Sequence, residues 1–96
     1  MPADVTVLVP SLLRQFTDGH EELRLSVDGP VTLAEMLDVL GAQYPIFNRR
    51  IRDETGSLRR YVNVYVERDD VRRLRGTATE VQPGQEVLII QSVAGG

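Results

Sequence analysis

Between residues 32 and 45 the chain carries one amphipathic helix, and that helix limits the fold more than any other feature. Leu33, Met36, Leu37, Leu40 and Tyr44 recur at i, i+3, i+4, i+7 and i+11. This spacing gathers them into one apolar stripe over about three turns. Thr32 and Glu35 form a capping box, in which the hydroxyl accepts the Glu35 amide proton and the carboxylate reaches back to the Thr32 amide. Gly41 weakens the last turn, and Pro45 is expected to stop the helix. A stripe of this kind must be buried against another layer.

That layer is predicted from extended segments. Residues 4–9 alternate β-branched and polar residues and predict a strand, ended by Pro10 and Ser11. Ser11 is expected to cap a short helical turn with Leu12, Leu13 and Phe16 as its apolar positions, closed by Asp18 and Gly19. Residues 22–28 put Leu23, Leu25 and Val27 on one face and Arg24 and Ser26 on the other, a half-exposed strand broken by Gly29 and Pro30. Residues 46–57 read as irregular, with Ile46, Phe47 and Ile51 anchoring a helical turn, Arg49, Arg50 and Arg52 pointing to water, and a turn at 54–57. Residues 61–66 predict a strand with Val62, Val64 and Val66 inward. Arg68, Asp69 and Asp70 turn the chain, and residues 71–74 read as an edge segment blunted by Arg72, Arg73 and Arg75. Pro83 and Gly84 predict a type II turn. Residues 86–93 form the last strand, whose consecutive apolar residues suggest a central position. One helix covers only one face of such a sheet, so the class is α+β with the other face bare.

Composition then narrows the chemistry. A length of 96 residues predicts one domain, here residues 1–93, followed by a flexible Ala94, Gly95, Gly96 tail. The chain has no Cys, which excludes thiol nucleophiles, disulfides and thiolate metal sites. Its single His, His20, excludes a two-His metal site or a histidine relay. All 11 basic residues are Arg, so its N-terminus is the chain's one primary amine. A net charge of −3 argues against nucleic acid as a partner. No apolar run approaches the roughly 20 residues a membrane helix needs. The opening residues carry neither a basic nor an apolar signal region, so a cytoplasmic protein is expected.

Two features remain as candidates for function. The tail projects from the last strand at Val93, and at roughly 3.3 Å per residue it spans about 10 Å. Glycine has no Cβ to clash in a narrow slot, which suits insertion of a C-terminal carboxylate into another protein's active site. The second feature is a matter of parity. If Val87 and Ile89 face the helix, Leu88 and Ile90 face the other way, and Leu8 of the first strand lies outward beside them. An exposed apolar patch near a projecting tail marks a binding surface. The other side chains read more plainly. His20 sits in a polar loop. Arg68, Arg72, Arg73 and Arg75 form a solvated edge, or a docking strip for an acidic partner. Asp69 and Asp70 are adjacent and do not make an acid–base pair. Tyr61 and Tyr65 share a strand face and pack.

The order of elements, the strand from Tyr61 to Val66, the segment from Asp70 to Arg72, the turn at Pro83 and Gly84 and the ending from Val87 to Gly96 together resemble the ubiquitin-like sulfur-carrier family of the MoaD and ThiS type. The strand and the Val93, Ala94, Gly95, Gly96 ending are most similar to the CysO-type carriers of cysteine biosynthesis. The resemblance implies a β-grasp fold with a mixed sheet and one main helix on one face. It implies a protein co-substrate, not an enzyme. A ubiquitin-activating-enzyme-like adenylyltransferase would use ATP and Mg to adenylate the Gly96 carboxylate, with no cofactor bound by this chain. A sulfur donor would then leave a thiocarboxylate for a downstream sulfur-accepting synthase. Because the chain ends at Gly96, no processing protease is expected to be needed. The resemblance also places partner contacts on the open face near Ile90. Two other readings share the fold: the small subunit of molybdopterin synthase, and a ubiquitin-like modifier without sulfur chemistry. The sequence departs from the family at Gln91 and Ser92, where many members carry Pro, and at Pro83, Gly84 and Gln85, where an Asp-Gly-Asp turn is common.

Overall fold

The computed structural model describes residues 3–92. Its elements run β1 (Ala3–Leu8), β2 (Glu22–Val27), β3 (Val31–Thr32), α1 (Leu33–Gln43), α2 (Pro45–Ile51), β4 (Val62–Val66), β5 (Asp69–Asp70), β6 (Glu80–Val81) and β7 (Glu86–Gln91). The capping box forms as the spacing predicts. Thr32 Oγ1 accepts from Glu35 N at 3.0 Å, and Thr32 N donates to Glu35 Oε1 at 3.1 Å. Leu33, Met36, Leu37 and Leu40 are all buried, so the stripe is the contact face of α1.

Five strands make one mixed sheet in the order β2-β1-β7-β4-β5. β7 runs parallel to β1 and antiparallel to β4, which makes it the central strand, as its apolar run predicts. The helices pack on one face only. Val5 and Val7 of β1, Leu23 and Val27 of β2, Val62, Val64 and Val66 of β4, and Val87 and Ile89 of β7 are buried beneath them. Phe47 and Ile51 of α2 and Leu13 complete the core. Each such side chain contributes about 1.5–3 kcal/mol on full burial, set against the entropy of ordering it. This is the β-grasp arrangement, with a small second sheet of β3 against β6 that alternation does not reveal. The turn before β7 is type II: Gly84 has φ 89° and Gln85 N donates to Gln82 O at 3.1 Å.

Five expectations need correcting. Pro45 ends α1 but also opens a second helix, α2, because a proline in the first helical turn sacrifices no hydrogen bond. Arg52 does not point to water. It is 8% exposed, and it donates from Nη2 to Asp38 Oδ1 at 2.7 Å and from Nε to Asn48 Oδ1 at 3.0 Å, which pins the end of α2 to α1. Gly41 does more than weaken a turn, since a Cβ there would lie 2.8 Å from Asn48 Nδ2. Ser11 is the first residue of the 3-10 turn Ser11–Phe16; the cap position is Pro10, with no side-chain bond. Finally, residues 71–73 are a 3-10 turn and not an edge strand. The edge is β5, reached through a tight turn at Glu67 (φ 48°) and Arg68 (φ 78°). Left-handed backbone at two such residues costs about 1 kcal/mol each. Glu67 Oε2 offsets part of this by accepting from Glu86 N at 2.8 Å.

Candidate functional site: the open face of the sheet

The alternation that buries valines on one face delivers a different set to the other. Leu8 pairs in register with Leu88, Leu88 with Tyr65, and Tyr65 with Asp70, so one row crosses four strands. Glu22 of β2 extends the row beyond Leu8. One step along β7, Ile90 pairs with Asn63. Leu8 and Leu88 are half-buried, while Ile90 is 41% exposed. Parity therefore places Leu8, Leu88 and Ile90 together on the uncovered face, as the sequence predicts.

Sequence reasoning missed the wall beside them. The 3-10 turn buries Leu13 and leaves Leu12 52% exposed. Pro10 and Leu12 line an open depression of about 390 Å3 with Leu8, Leu88 and Ile90, and Ser11, Arg14, Glu21 and Glu22 add polar and charged lining. The signal was present in the spacing of Leu13 and Phe16, which share a helical face that Leu12 does not. Charged groups at the rim are matched to one another. Arg14 Nη1 lies 3.9 Å from Glu21 Oε1, and Arg24 Nε lies 3.0 Å from Glu22 Oε2. Arg14 Nε also donates to Val9 O at 3.1 Å, which fixes the start of the turn.

The opposite edge treats its arginines unequally. Arg72 lies against the sheet, donating to Asn63 Oδ1 at 2.8 Å and to Arg59 O at 2.9 Å, while its amide donates to Asp70 Oδ1 at 2.9 Å. Asp70 is thus a cap for the 3-10 turn. All four arginines of this edge, Arg72 included, are exposed. Tyr61 packs against the core from the side, whereas Tyr65 belongs to the open-face row. His20 is exposed. The pKa of Asp53 is lowered, chiefly by the Thr55 hydroxyl that donates to Oδ1 at 2.6 Å, with help from the Thr55 and Ser57 amides and Arg59. That carboxylate organises the turn before residue 58 and lies away from the open face. Among the described residues no three His, Asp or Glu side chains converge to hold a metal ion, and no helix is long and apolar enough to cross a membrane.

β7 ends at Gln91, and Ser92 N donates to Tyr61 O at 2.8 Å. Val93, Ala94, Gly95 and Gly96 lie outside the described residues. The strand that leads into them is the strand that carries Leu88 and Ile90.

The model of the ThiS family matches residues 7–96. The chain belongs to the ThiS family. The sulfur carrier protein CysO of Mycobacterium tuberculosis (strain ATCC 25618 / H37Rv) is 39% identical over 95 residues, covering 97% of this chain and 99% of that one. The crystal structure of Mycobacterium tuberculosis CysO is similar with a TM-score of 0.80 at 36% identity, covering 93% of this chain and 99% of that chain. A chain of the Amycolatopsis orientalis BexX/CysO complex is similar with a TM-score of 0.78 at 34% identity, covering 96% of this chain and 99% of that chain. The family match runs from the end of β1 through β7 and the segment that follows it.

Proposed function

We propose that this ThiS-family chain is a sulfur carrier, a protein co-substrate that acts through Gly96. The observation that carries this reading is near-full-length identity of 39% to a sulfur carrier protein. The same similarity favours sulfur donation toward cysteine or a related sulfur-containing metabolite over a molybdopterin synthase subunit or a modifier. An α-carboxyl group has a reference pKa near 3.5, so at neutral pH the Gly96 carboxylate is an oxygen nucleophile. It attacks the α-phosphorus of ATP; pyrophosphate leaves and an acyl adenylate forms. Hydrosulfide, or a donor at the same oxidation level, then attacks the acyl carbon. AMP leaves with the former carboxylate oxygen, and a thiocarboxylate remains. ATP and Mg are handled by the partner, a ubiquitin-activating-enzyme-like adenylyltransferase.

The chain's own contribution is recognition and reach. Leu8, Leu88 and Ile90 dock the partner, and Val93, Ala94, Gly95 and Gly96 enter its active site. Docking on this face fixes the distance from β7 to the reacting carboxylate, which converts an encounter into an oriented approach. A downstream sulfur-accepting synthase then engages the same tail. The CysO of Amycolatopsis orientalis is found in complex with BexX, which supports carriers of this type working bound to a second protein.

Intact-mass spectrometry tests the reading. Incubation with the cognate adenylyltransferase, Mg-ATP and sulfide is expected to add about 16 Da, one sulfur in place of one oxygen. Deleting Gly96 is expected to abolish the gain while leaving the thermal melt unchanged. No mass gain with an active partner sinks the proposal.

A further inference from the structure

The arginines are spread unevenly along the chain. Nine of the 11 fall between residues 49 and 75, beside five Asp and Glu, while the rest of the chain holds two arginines beside nine acids. Five of the nine have a counterpart nearby. Arg52 pairs with Asp38, Arg50 stacks on Phe16 at 5.0 Å, and Arg59 acts on Asp53. Arg68 and Arg73 share a hollow with Asp69 and Asp70. Arg72 and Arg75 differ. They line a shallow hollow of about 310 Å3 whose other walls are Ser57, Leu58, Gly76 and Thr77, with no carboxylate among them. The Arg72 guanidinium is held at 2.8 Å and 2.9 Å by Asn63 Oδ1 and Arg59 O, two neutral acceptors, so its charge is aimed but not neutralised. Arg75 bonds through its main chain, donating from its amide to Thr79 Oγ1 at 3.1 Å, and its guanidinium forms no ion pair among the described residues. The hollow borders the open face. Asn63 pairs in register with Ile90, and cross-strand partners share a face, so Asn63 and the Arg72 guanidinium flank Ile90. On the far side of that face Arg14 and Arg24 are matched by Glu21 and Glu22. The face is therefore lopsided, with unneutralised positive charge on its β4 side.

We infer that Arg72 and Arg75 receive carboxylates, supplied by an Asp- or Glu-bearing segment of the protein that docks on the open face. This rests on the proposal that the open face binds the adenylyltransferase. A guanidinium fork matches a carboxylate in geometry as well as in charge. A nucleic-acid strand fits less well, because the acid-rich remainder of the chain repels a polyanion. Apolar contacts on Leu8, Leu88 and Ile90 supply area with little direction, whereas charge on one side fixes which way round the partner sits. Arg72 and Arg75 are thus positioning residues, acting through the seating of the partner.

The test is calorimetric affinity for the cognate adenylyltransferase over a salt series, without nucleotide and again with Mg-ATP. Arg75 is the residue to change, because its side chain holds nothing in the fold. At roughly 0.05 M salt, Arg75→Gln is expected to weaken binding about fivefold and Arg75→Glu about thirtyfold, with the melting temperature unchanged. The affinity of the parent chain should fall with salt more steeply than that of Arg75→Gln. Arg50→Glu makes the same change of net charge beside Phe16 and is expected to bind within about twofold of the parent. Arg75→Glu binding like the parent overturns the inference, and so do equal salt slopes. An equal loss in Arg50→Glu overturns it too, since that marks a general field and not a site. An Arg75 effect seen only with Mg-ATP assigns the hollow to phosphate and overturns it as well. Ile90→Asn, an uncharged change, serves as the reference. If it weakens binding while Arg75→Glu does not, only the arginine contact fails; if neither matters, the open-face reading fails with it.

Discussion

The two faces of the sheet obey the same alternation and meet opposite fates. The covered face is almost all valine, with Ile89 and Leu23, and lies under α1 and α2. The open face carries Leu8, Leu88, Ile90 and Tyr65 among paired charges, and none of the four is buried. Valine is stiff and packs well on a pleated surface, which suits a permanent interior. Leucine and isoleucine held half-exposed offer area that only another protein can remove from water. One face holds the domain together, and the other stays open to solvent.

Substitutions that separate stability from association test this contrast. The largest effect is expected on the covered face: Leu37→Ala should cost about 2–5 kcal/mol of folding free energy, read as a shift in the urea midpoint. A loss under 1 kcal/mol would mean that α1 does not seal that side. Ile90→Arg should leave folding within about 0.5 kcal/mol but weaken adenylyltransferase binding by about 2 kcal/mol or more, roughly thirtyfold. Equal damage to both quantities erases the distinction between the faces. Gly41→Ala should destabilise by about 1 kcal/mol in thermal melts, because displacing Asn48 releases Arg52 and outweighs the helix propensity gained. Stabilisation would show that Asn48 moves aside freely.

The smallest effect belongs to Asp53, away from both faces. Its folded pKa is lowered below 3.8, so the stabilisation is present above that value and is lost as pH falls through the folded pKa. A titration of its side-chain carbonyl carbon by NMR should give a midpoint under 3.8, and Thr55→Ala should move it upward.

Strand alternation was readable wherever one face is wet. Parity alone placed Leu8, Leu88 and Ile90 correctly, and consecutive apolar residues marked β7 as central. After Pro45 a helical turn anchored by Phe47 and Ile51 was legible, but not that it begins at the proline itself, which serves equally as a helix stop and a helix start, nor that Ile46 is 50% exposed and no anchor. Arg52 was misjudged because its burial depends on Asp38 and Asn48, partners known only once α1 and α2 meet. β3 and β6 are two residues each, too short for a period to show. Of the site, the leucine and isoleucine wall was legible; the exposed Leu12 beside it emerged only with the geometry. The tail residues from Val93 to Gly96 stand on sequence and family membership.

The pairing of β7 between β1 and β4 has a consequence for assembly. The strand made last among these sits in the middle, and its parallel neighbour is the strand made first. The two halves, β2-β1 and β4-β5, cannot join until β7 is made, since residues 6–8 must wait for residues 86–88. Long-range closure of this kind slows folding. It also means that a half-finished molecule lacks the row that runs across the open face, so that face and the strand leading to residue 93 are completed in the same event.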